Sequence, residues 1–254
     1  MARERRTDEV AVLLKALDIL NCLAVDAPCT AAHISEHAGV TKPAAYRILK
    51  TLDLSGYVVR DEEQREYMLG PALHGLSRAA RSSSDLVRVA RPVMESLNEE
   101  LGETVNLGVL SHGQIVYLDT IESTHRLRST VQIALRDCVH STALGKAILA
   151  ALPVEEARKR LEAADLTGMT SHTLTEVPAL LSQLEGVREM GYAVDDEENE
   201  LGSRCVATAI LDGSAKPVAA LSVSAPTTRM RAETLQRVGR RVAGAAADLG
   251  ELIR

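Results

Sequence analysis

The 254-residue chain contains no phenylalanine and no tryptophan, and five tyrosines are its only large aromatics. Any core or pocket it builds is therefore walled mainly by Leu, Ile, Val, Met and Ala. Cysteine is sparse as well. Cys22, Cys29, Cys138 and Cys205 show neither C-x-x-C spacing nor the density of a secreted disulfide scaffold, which predicts reduced thiols in a cytoplasmic protein. No uninterrupted apolar run approaches the roughly 20 residues that span a bilayer. The most signal-like stretch, 10–25, is broken at every third residue by Lys15, Asp18 and Asn21, the polar face of an amphipathic helix. An overall excess of positive charge is also missing. The net charge of −6 excludes a chain that coats nucleic acid with its whole surface, so any basic function must be local. G-x-S-x-G, P-loop and H-E-x-x-H patterns are absent, which leaves no motif support for hydrolase, nucleotide or metalloprotease chemistry.

What is present locally is basic. Lys42, Arg47, Lys50 and Arg60 face only Asp53 over residues 42–60. Within that stretch Ala45, Ile48, Leu49 and Leu52 recur at i, i+3, i+4 and i+7, which predicts a helix with one apolar stripe. Thr41 is placed to cap it, Pro43 occupies an allowed first-turn position and Gly56 ends it. The opposite face offers Lys42, Tyr46, Arg47 and Lys50 as donors for phosphates and base edges. Pro43 and Ala44, in the first turn, are counted with this DNA-facing set. Two more helices precede it, one over 10–24 and one capped by Thr30 with Ala31, Ile34 and Ala38 inward, closing at Gly39. Two helices joined through a Gly-containing turn form a helix-turn-helix, in which the second lies in the groove and the first braces it. Strands over 57–60 and 67–69, around the polar turn 61–66, then predict a wing from which Arg60 and Arg65 reach backbone phosphate. Arg3, Arg5 and Arg6 add a basic N-terminal tail.

Leu69, Leu73, Leu76 and Ala80 keep a helical stripe that Ser82-Ser-Ser-Asp85 interrupts, which predicts a linker helix and a boundary near residue 84. The domains are therefore 1–71 (winged helix-turn-helix), 72–84 (linker helix) and 85–254. The last begins with a helix from Leu86, bent or restarted at Pro92 and stopped by Gly102. Strands follow over 104–110 and 114–119, and another over 125–133. Helices follow over 141–152, 154–164 and 177–189, then strands over 205–211 and 218–224, and a closing helix over 232–253. The pattern is α+β, an antiparallel sheet flanked by helices. Cys205, His140 and Asp195 have the residue types of a thiol nucleophile. Cys138, His140 and Cys205 have those of a metal site but lack its spacing. Neither rival is adopted: no catalytic residues, no metal and no cofactor are expected.

Across nearly its whole length the sequence resembles the IclR family of bacterial transcription regulators. The matching segments run in order: Ala90-Arg-Pro-Val93, Gly102-Glu-Thr-Val-Asn-Leu107, Val116-Tyr-Leu-Asp119, the run from His140 to Ala150, Gly191-Tyr-Ala-Val-Asp195, Glu198 with Gly202 and Cys205, and the run from Ala219 to Pro226. The resemblance implies a winged helix-turn-helix and a GAF-like C-terminal domain that binds a small effector. It implies a homodimer that often pairs into a tetramer, acting on double-stranded operator DNA, here as a repressor of a catabolic operon. Carried over by position, the effector site is Ala143, Leu144, Asp195, Cys205, Ser222 and Ser224, suited to a small organic acid or aromatic acid. Ser222 and Ser224 alternate correctly to share one face of a strand. Asp195 opposes an anion unless it is protonated or meets a ligand hydroxyl or amine.

Overall fold

The structure is a computed structural model that describes residues 10–61, 63–76, 85–130, 133 and 136–253. The chain divides into two compact units, Met1–Ser83 and Ser84–Arg254.

In the first unit, α1 (Ala11–Asp26), α2 (Ala31–His37) and α3 (Lys42–Leu54) surround a small core. That core is Ile19, Cys22 and Leu23 of α1, Ala31 and Ile34 of α2, and Leu49 of α3, closed by Val58 and Tyr67. The Thr30 side chain accepts the His33 amide and so caps α2. Thr41 occupies the cap position of α3 without a side-chain bond, its carbonyl accepting the Ala45 amide instead. Gly39 (φ +58°) and Gly56 (φ +74°) end α2 and α3 in the left-handed region that a side chain disfavours. Strands β2 (Val58–Asp61) and β3 (Glu66–Leu69) form the expected hairpin. A third strand, β1 (Cys29–Thr30), pairs with β3 through Cys29↔Tyr67 and Thr30↔Glu66. Two residues are too short to leave a periodic trace, so sequence reading missed it. Residues 72–76 are helical. The remainder of the expected linker helix, the Ser82–Ser84 break and the basic tail lie outside the described residues.

In the second unit, α4 (Asp85–Leu101) runs as one continuous helix through Pro92, so it does not restart there. One six-stranded antiparallel sheet follows, built from β4 (Thr104–Ser111), β5 (Gln114–Ile121), β6 (Arg136–Cys138), β7 (Ala193–Asp196), β8 (Ser203–Leu211) and β9 (Pro217–Pro226). Its order is β6-β5-β4-β9-β8-β7. The two-residue period sorts its side chains cleanly. Val105, Leu107, Val206, Ile210, Leu221 and Val223 pack with α4 and with α8 (Ala232–Leu252). Ile115, Tyr117, Ala193, Ala207 and Ala220 pack on the opposite side with α5 (Ala143–Ala151), α6 (Val154–Ala163) and α7 (Val177–Met190). The small helix α5 approaches closely because residue 145 is glycine: a Cβ there would lie 2.0 Å from the Val139 carbonyl oxygen.

Over 125–130 and at 133 no strand forms where one is expected over 125–133, and residues 131 and 132 lie outside the described residues. This segment is held by side chains instead: Thr104 Oγ1 donates to the Ser129 carbonyl at 2.7 Å, and Arg128 pairs with Glu122 at 2.8 Å. The ladder partner of β5 is the three-residue β6, registered as Ile115↔Asp137. β7, also unforeseen, completes the far edge through Asp195↔Cys205. Among the described residues, no helix is long and apolar enough to cross a membrane.

The Lys146 side chain, 1% exposed, lies on α5, and its ammonium pairs with Glu198 Oε1, which Gln183 Nε2 also approaches at 3.0 Å. Removing one partner strands a buried charge, whereas removing both does not. Lys146→Met alone is expected to destabilise this unit by roughly 3–5 kcal/mol, and Lys146→Met with Glu198→Leu by much less. Urea unfolding of the two variants measures this; equal losses would mean that the ion pair does not hold α5 to its loop.

Candidate functional site

The second sheet face carries two rows of polar positions rather than one apolar surface. Across β7, β8, β9 and β4 the register aligns Asp195, Cys205, Ser224 and Thr104, and beside them Ala207, Ser222 and Asn106. The N-terminus of α5 points over these rows. Thr142 caps it, its hydroxyl accepting the Gly145 amide at 3.1 Å and donating to the Cys138 carbonyl at 2.8 Å. Between helix end and sheet lies a cavity of about 170 Å³. Ala143, Leu144, Asp195, Cys205, Ser222 and Ser224 all line it, together with Tyr117, Asp137, Thr142 and Asn199.

The hydrogen bonds of the walls decide what they can offer. Asn106 Nδ2 donates to Ser224 Oγ at 3.1 Å and Ser222 Oγ at 3.3 Å, while Thr120 Oγ1 donates to Asn106 Oδ1 at 2.8 Å. Both serine oxygens thus accept from behind while lining the cavity beside Cys205. Asn106 escaped sequence reasoning because a lone Asn in an alternating strand carries no signal. Asn199 donates from Nδ2 to Asp137 Oδ2 at 3.1 Å and accepts Ser141 Oγ at 2.7 Å. The amides of Ala143 and Leu144, at the unsatisfied start of α5, have no bonded partner among the described residues. Such amides favour an anion or a carbonyl oxygen.

Asp195 is 3% exposed, and its Oδ1 accepts the amides of Glu198 at 2.8 Å and Asn199 at 3.2 Å. Burial pushes its carboxyl up to about 7, against the opposing pull of Lys146 and the two amides. Near neutrality it exists in both forms. The Cys205 thiol is pushed up to about 12 by burial and by the neighbouring Asp195 charge, so it stays protonated. The His140 ring, fully buried, contacts the Thr167 carbonyl through Nε2 at 3.1 Å, and burial lowers its basicity. Cys205 and His140 therefore do not form a nucleophile and base. Asp196 is exposed, but Glu198, three residues beyond Asp195, is buried on Lys146.

In the first unit, Lys42, Pro43, Tyr46, Arg47 and Lys50 are exposed on α3, with Tyr46 at 53%. Ala44 is half-buried and, with Arg47, borders a groove shared with Val12 and Leu13 of α1. On the hairpin, the Arg60 guanidinium lies 5.9 Å from the Tyr67 ring centroid. Arg65 is exposed at φ +55° in the turn, whose Asp61 carboxylate is engaged by the amides of Glu63 and Gln64. One helix face and the hairpin thus display cations and donors, with the core stripe turned away.

Comparison with known proteins agrees with both halves. Residues 12–62 match the model of the IclR helix-turn-helix domain, and residues 78–251 match that of the bacterial transcriptional regulator IclR C-terminal domain. The HTH-type transcriptional regulator KdgR of Escherichia coli (strain K12) is 36% identical over 233 residues, covering 92% of this chain and 89% of KdgR. The transcriptional repressor IclR of the same strain is 31% identical over 246 residues, covering 96% and 90%. A solved IclR homolog complexed with 4-hydroxybenzoate, from Microbacterium hydrocarbonoxydans, superposes with a TM-score of 0.75 at 25% identity, over 95% of this chain and 100% of that one. These relatives are regulators, not enzymes. A helix-turn-helix presenting exposed cations, followed by a sheet domain with a small polar cavity, places the chain in the IclR family of DNA-binding transcriptional regulators.

Proposed function

We propose that this regulator represses a catabolic operon and that its grip on operator DNA is set by a small hydroxylated or oxo carboxylate bound in the C-terminal cavity. The observation that carries this is the convergence of free α5 amides and two serine hydroxyls on one space of about 170 Å³. A cavity of about 150 Å³ holds a benzene-sized ligand, so this one suits a short acid or a single small ring. The lining favours the first. Tyr117 is its one aromatic residue, whereas Ser129, Thr130, Thr142, Ser203, Ser222 and Ser224 all supply hydroxyls. The relative complexed with 4-hydroxybenzoate supports a hydroxy acid in this domain.

In this reading the carboxylate meets the α5 N-terminus, the hydroxyl or oxo group meets Ser222 and Ser224, and Cys205 and Leu144 exclude water. Ligand binding selects one arrangement of a homodimer, which pairs further into a tetramer, and so resets the spacing of paired α3 helices. Self-association is also consistent with Val12, Leu13 and Leu17 of α1, exposed by 64%, 57% and 48%. Arg47 and Lys50 contact bases or phosphates, Lys42, Pro43, Ala44 and Tyr46 lie near the backbone, and Arg60 and Arg65 touch flanking phosphate.

The direct test is binding to a labelled duplex of the intergenic DNA upstream of the chain's own gene, titrated with salt, competitor and candidate acids. Tight, competitor-resistant binding altered by one acid is expected; weak, steeply salt-dependent binding that no acid alters would refute gating. Arg47→Ala should weaken operator binding by roughly 1–3 kcal/mol if it reads a base, or lower the salt slope by about 1 if it holds a phosphate. Unchanged affinity and slope would remove it from the interface. Ser222→Ala with Ser224→Ala should abolish the response to the acid while apo binding to DNA persists; lost DNA binding would make those serines structural.

Asp195 adds a pH dependence with a defined sign. Its folded-state value of about 7 exceeds the ordinary carboxylate value, so the stability it contributes as the protonated acid is lost as pH rises from about 4 through about 7, and its charge then opposes an incoming anion. Affinity for a carboxylate effector should therefore rise as pH falls from about 8 to about 6. Asp195→Asn keeps an oxygen for the Glu198 and Asn199 amides and should flatten the profile. Titration calorimetry at several pH values checks this, and an equal slope in wild type and variant would assign it elsewhere, among Asp137, Glu198, Lys146 or His140.

A further inference from the structure

We propose that Cys22, Asp26, His33 and His37 form a binding site for a divalent transition-metal ion of the zinc type, joining α1 to α2 inside the DNA-binding unit. Cys22 and Asp26 are one turn apart on α1, and His33 and His37 are one turn apart on α2, so each helix turns two ligands to one side. The two pairs face each other. One ligating atom from each of the four lies within 4.8 Å of the others. Asp26 Oδ2 is 2.7 Å from His33 Nε2 and 3.8 Å from His37 Nδ1, and the two imidazole centroids are 6.1 Å apart.

The donor set selects the ion. One thiolate, two imidazoles and one carboxylate suit a tetrahedral zinc site and not the all-oxygen shells of magnesium or calcium. Bonds of roughly 2.0–2.3 Å place tetrahedral ligand atoms roughly 3.3–3.7 Å from one another. Reaching that from a spread of up to 4.8 Å asks only for small rotations of side chains, three of which are not buried. Cys22 forms the floor at 1% exposure, Asp26 is half-buried and both histidines are exposed, so an ion arrives from solvent. On binding, the sulfur–hydrogen bond of Cys22 is replaced by a sulfur–metal bond and the proton leaves to solvent. Cys29 sits beside Cys22 as a thiol hydrogen-bond partner, the kind of outer support that orients a metal ligand.

An ordinary surface ion pair explains only part of this arrangement. Asp26 and His33 alone would satisfy each other, and such pairs contribute roughly 0–1 kcal/mol. His37, 3.8 Å from the same carboxylate, can share that pairing, but ion pairing does not account for the Cys22 thiol lying at the same point. Cys138, His140 and Cys205, the set considered from sequence, do not gather in this way among the described residues. The consequence lies in the reading head. α2 leads through Gly39 into α3, and β1, beginning at Cys29, carries the hairpin, so an ion here fixes the frame on which α3 rests.

The test uses the untagged full-length chain, stripped with chelator and titrated with Co²⁺ and then Zn²⁺. One equivalent of Co²⁺ per chain is expected, with the intense visible bands of a tetrahedral site and a thiolate-to-metal charge-transfer band, both erased by Zn²⁺. Cys22→Ser should remove the charge-transfer band, and His33→Ala with His37→Ala, both exposed, should weaken binding at least tenfold. Zn²⁺ should raise the thermal midpoint of the wild type and not of the histidine variant. Equal Co²⁺ affinity in wild type and histidine variant would overturn the proposal. So would pale octahedral spectra without the thiolate band, or no uptake at micromolar metal.

Discussion

A lysine whose side chain is 1% exposed must be met by a carboxylate, and in the C-terminal unit this requirement shapes the cavity. Lys146 sits one turn into α5, so Glu198 has to be drawn in over the helix to reach it. Its amide then lies where Asp195 Oδ1 accepts it, and the next amide, that of Asn199, joins the same oxygen. Asn199 is thereby set to bridge Asp137 and Ser141. One ion pair thus fixes three of the cavity's polar groups and holds the helix N-terminus against the sheet. The cost of burying these charges is partly returned as a defined geometry, since the shared acceptors Glu198 Oε1 and Asp195 Oδ1 tie several donors to fixed positions.

The two units use charge in opposite ways. On α3 the cations are exposed to solvent, which suits a partner whose phosphates are read through counterion release and whose bases are read by long donors. In the cavity the charges are buried and few, so protonation decides which ligands are tolerated. Asp195 is held high because burial outweighs the opposing pull of Lys146 and the loop amides. A chain with net charge −6 can serve both ends because neither depends on the total.

Legibility from sequence followed the physics of each signal. Helices α1, α3, α7 and α8 have apolar periods long enough to read, and the paired strands of 104–111 and 114–121 flank an obvious turn. β1 and β6 are two and three residues long and leave no period, while the segment over 125–130 has strand-like composition but spends its bonding on side chains. Ser222 and Ser224 were placed by alternation and by resemblance to a family. Asn106 and Lys146 were not, because nothing local distinguishes an orienting Asn or a buried Lys from solvated ones; their meaning comes from partners 116 and 52 residues away. The Cys22, Asp26, His33 and His37 group was hidden for a different reason. Its two i, i+4 pairs are visible in the sequence, but only the packing of α1 on α2 brings them together.

The modest size of the cavity constrains how any occupant can act at a distance. A ligand shifts an equilibrium only by its difference in affinity between two states, and a molecule that fits about 170 Å³ makes few contacts. Ser222, Ser224 and Asn106 belong to strands paired along both edges, which resist rearrangement, so contacts to them hold a ligand in place and the difference has to arise where that ligand also meets a movable wall. The wall that can differ is the one where loop meets strand: Asn199 and Ser129 in loops, with Ser129 meeting Ser203 at the start of β8 through their hydroxyls at 3.2 Å. In the proposed reading, a hydroxyl or oxo group held by Ser222 and Ser224 that also reaches this wall can favour one position of it, whereas a carboxylate resting on the α5 amides alone cannot. In an effector-gated protein of this build, affinity then comes from the helix end, and the sign of the response from the loop.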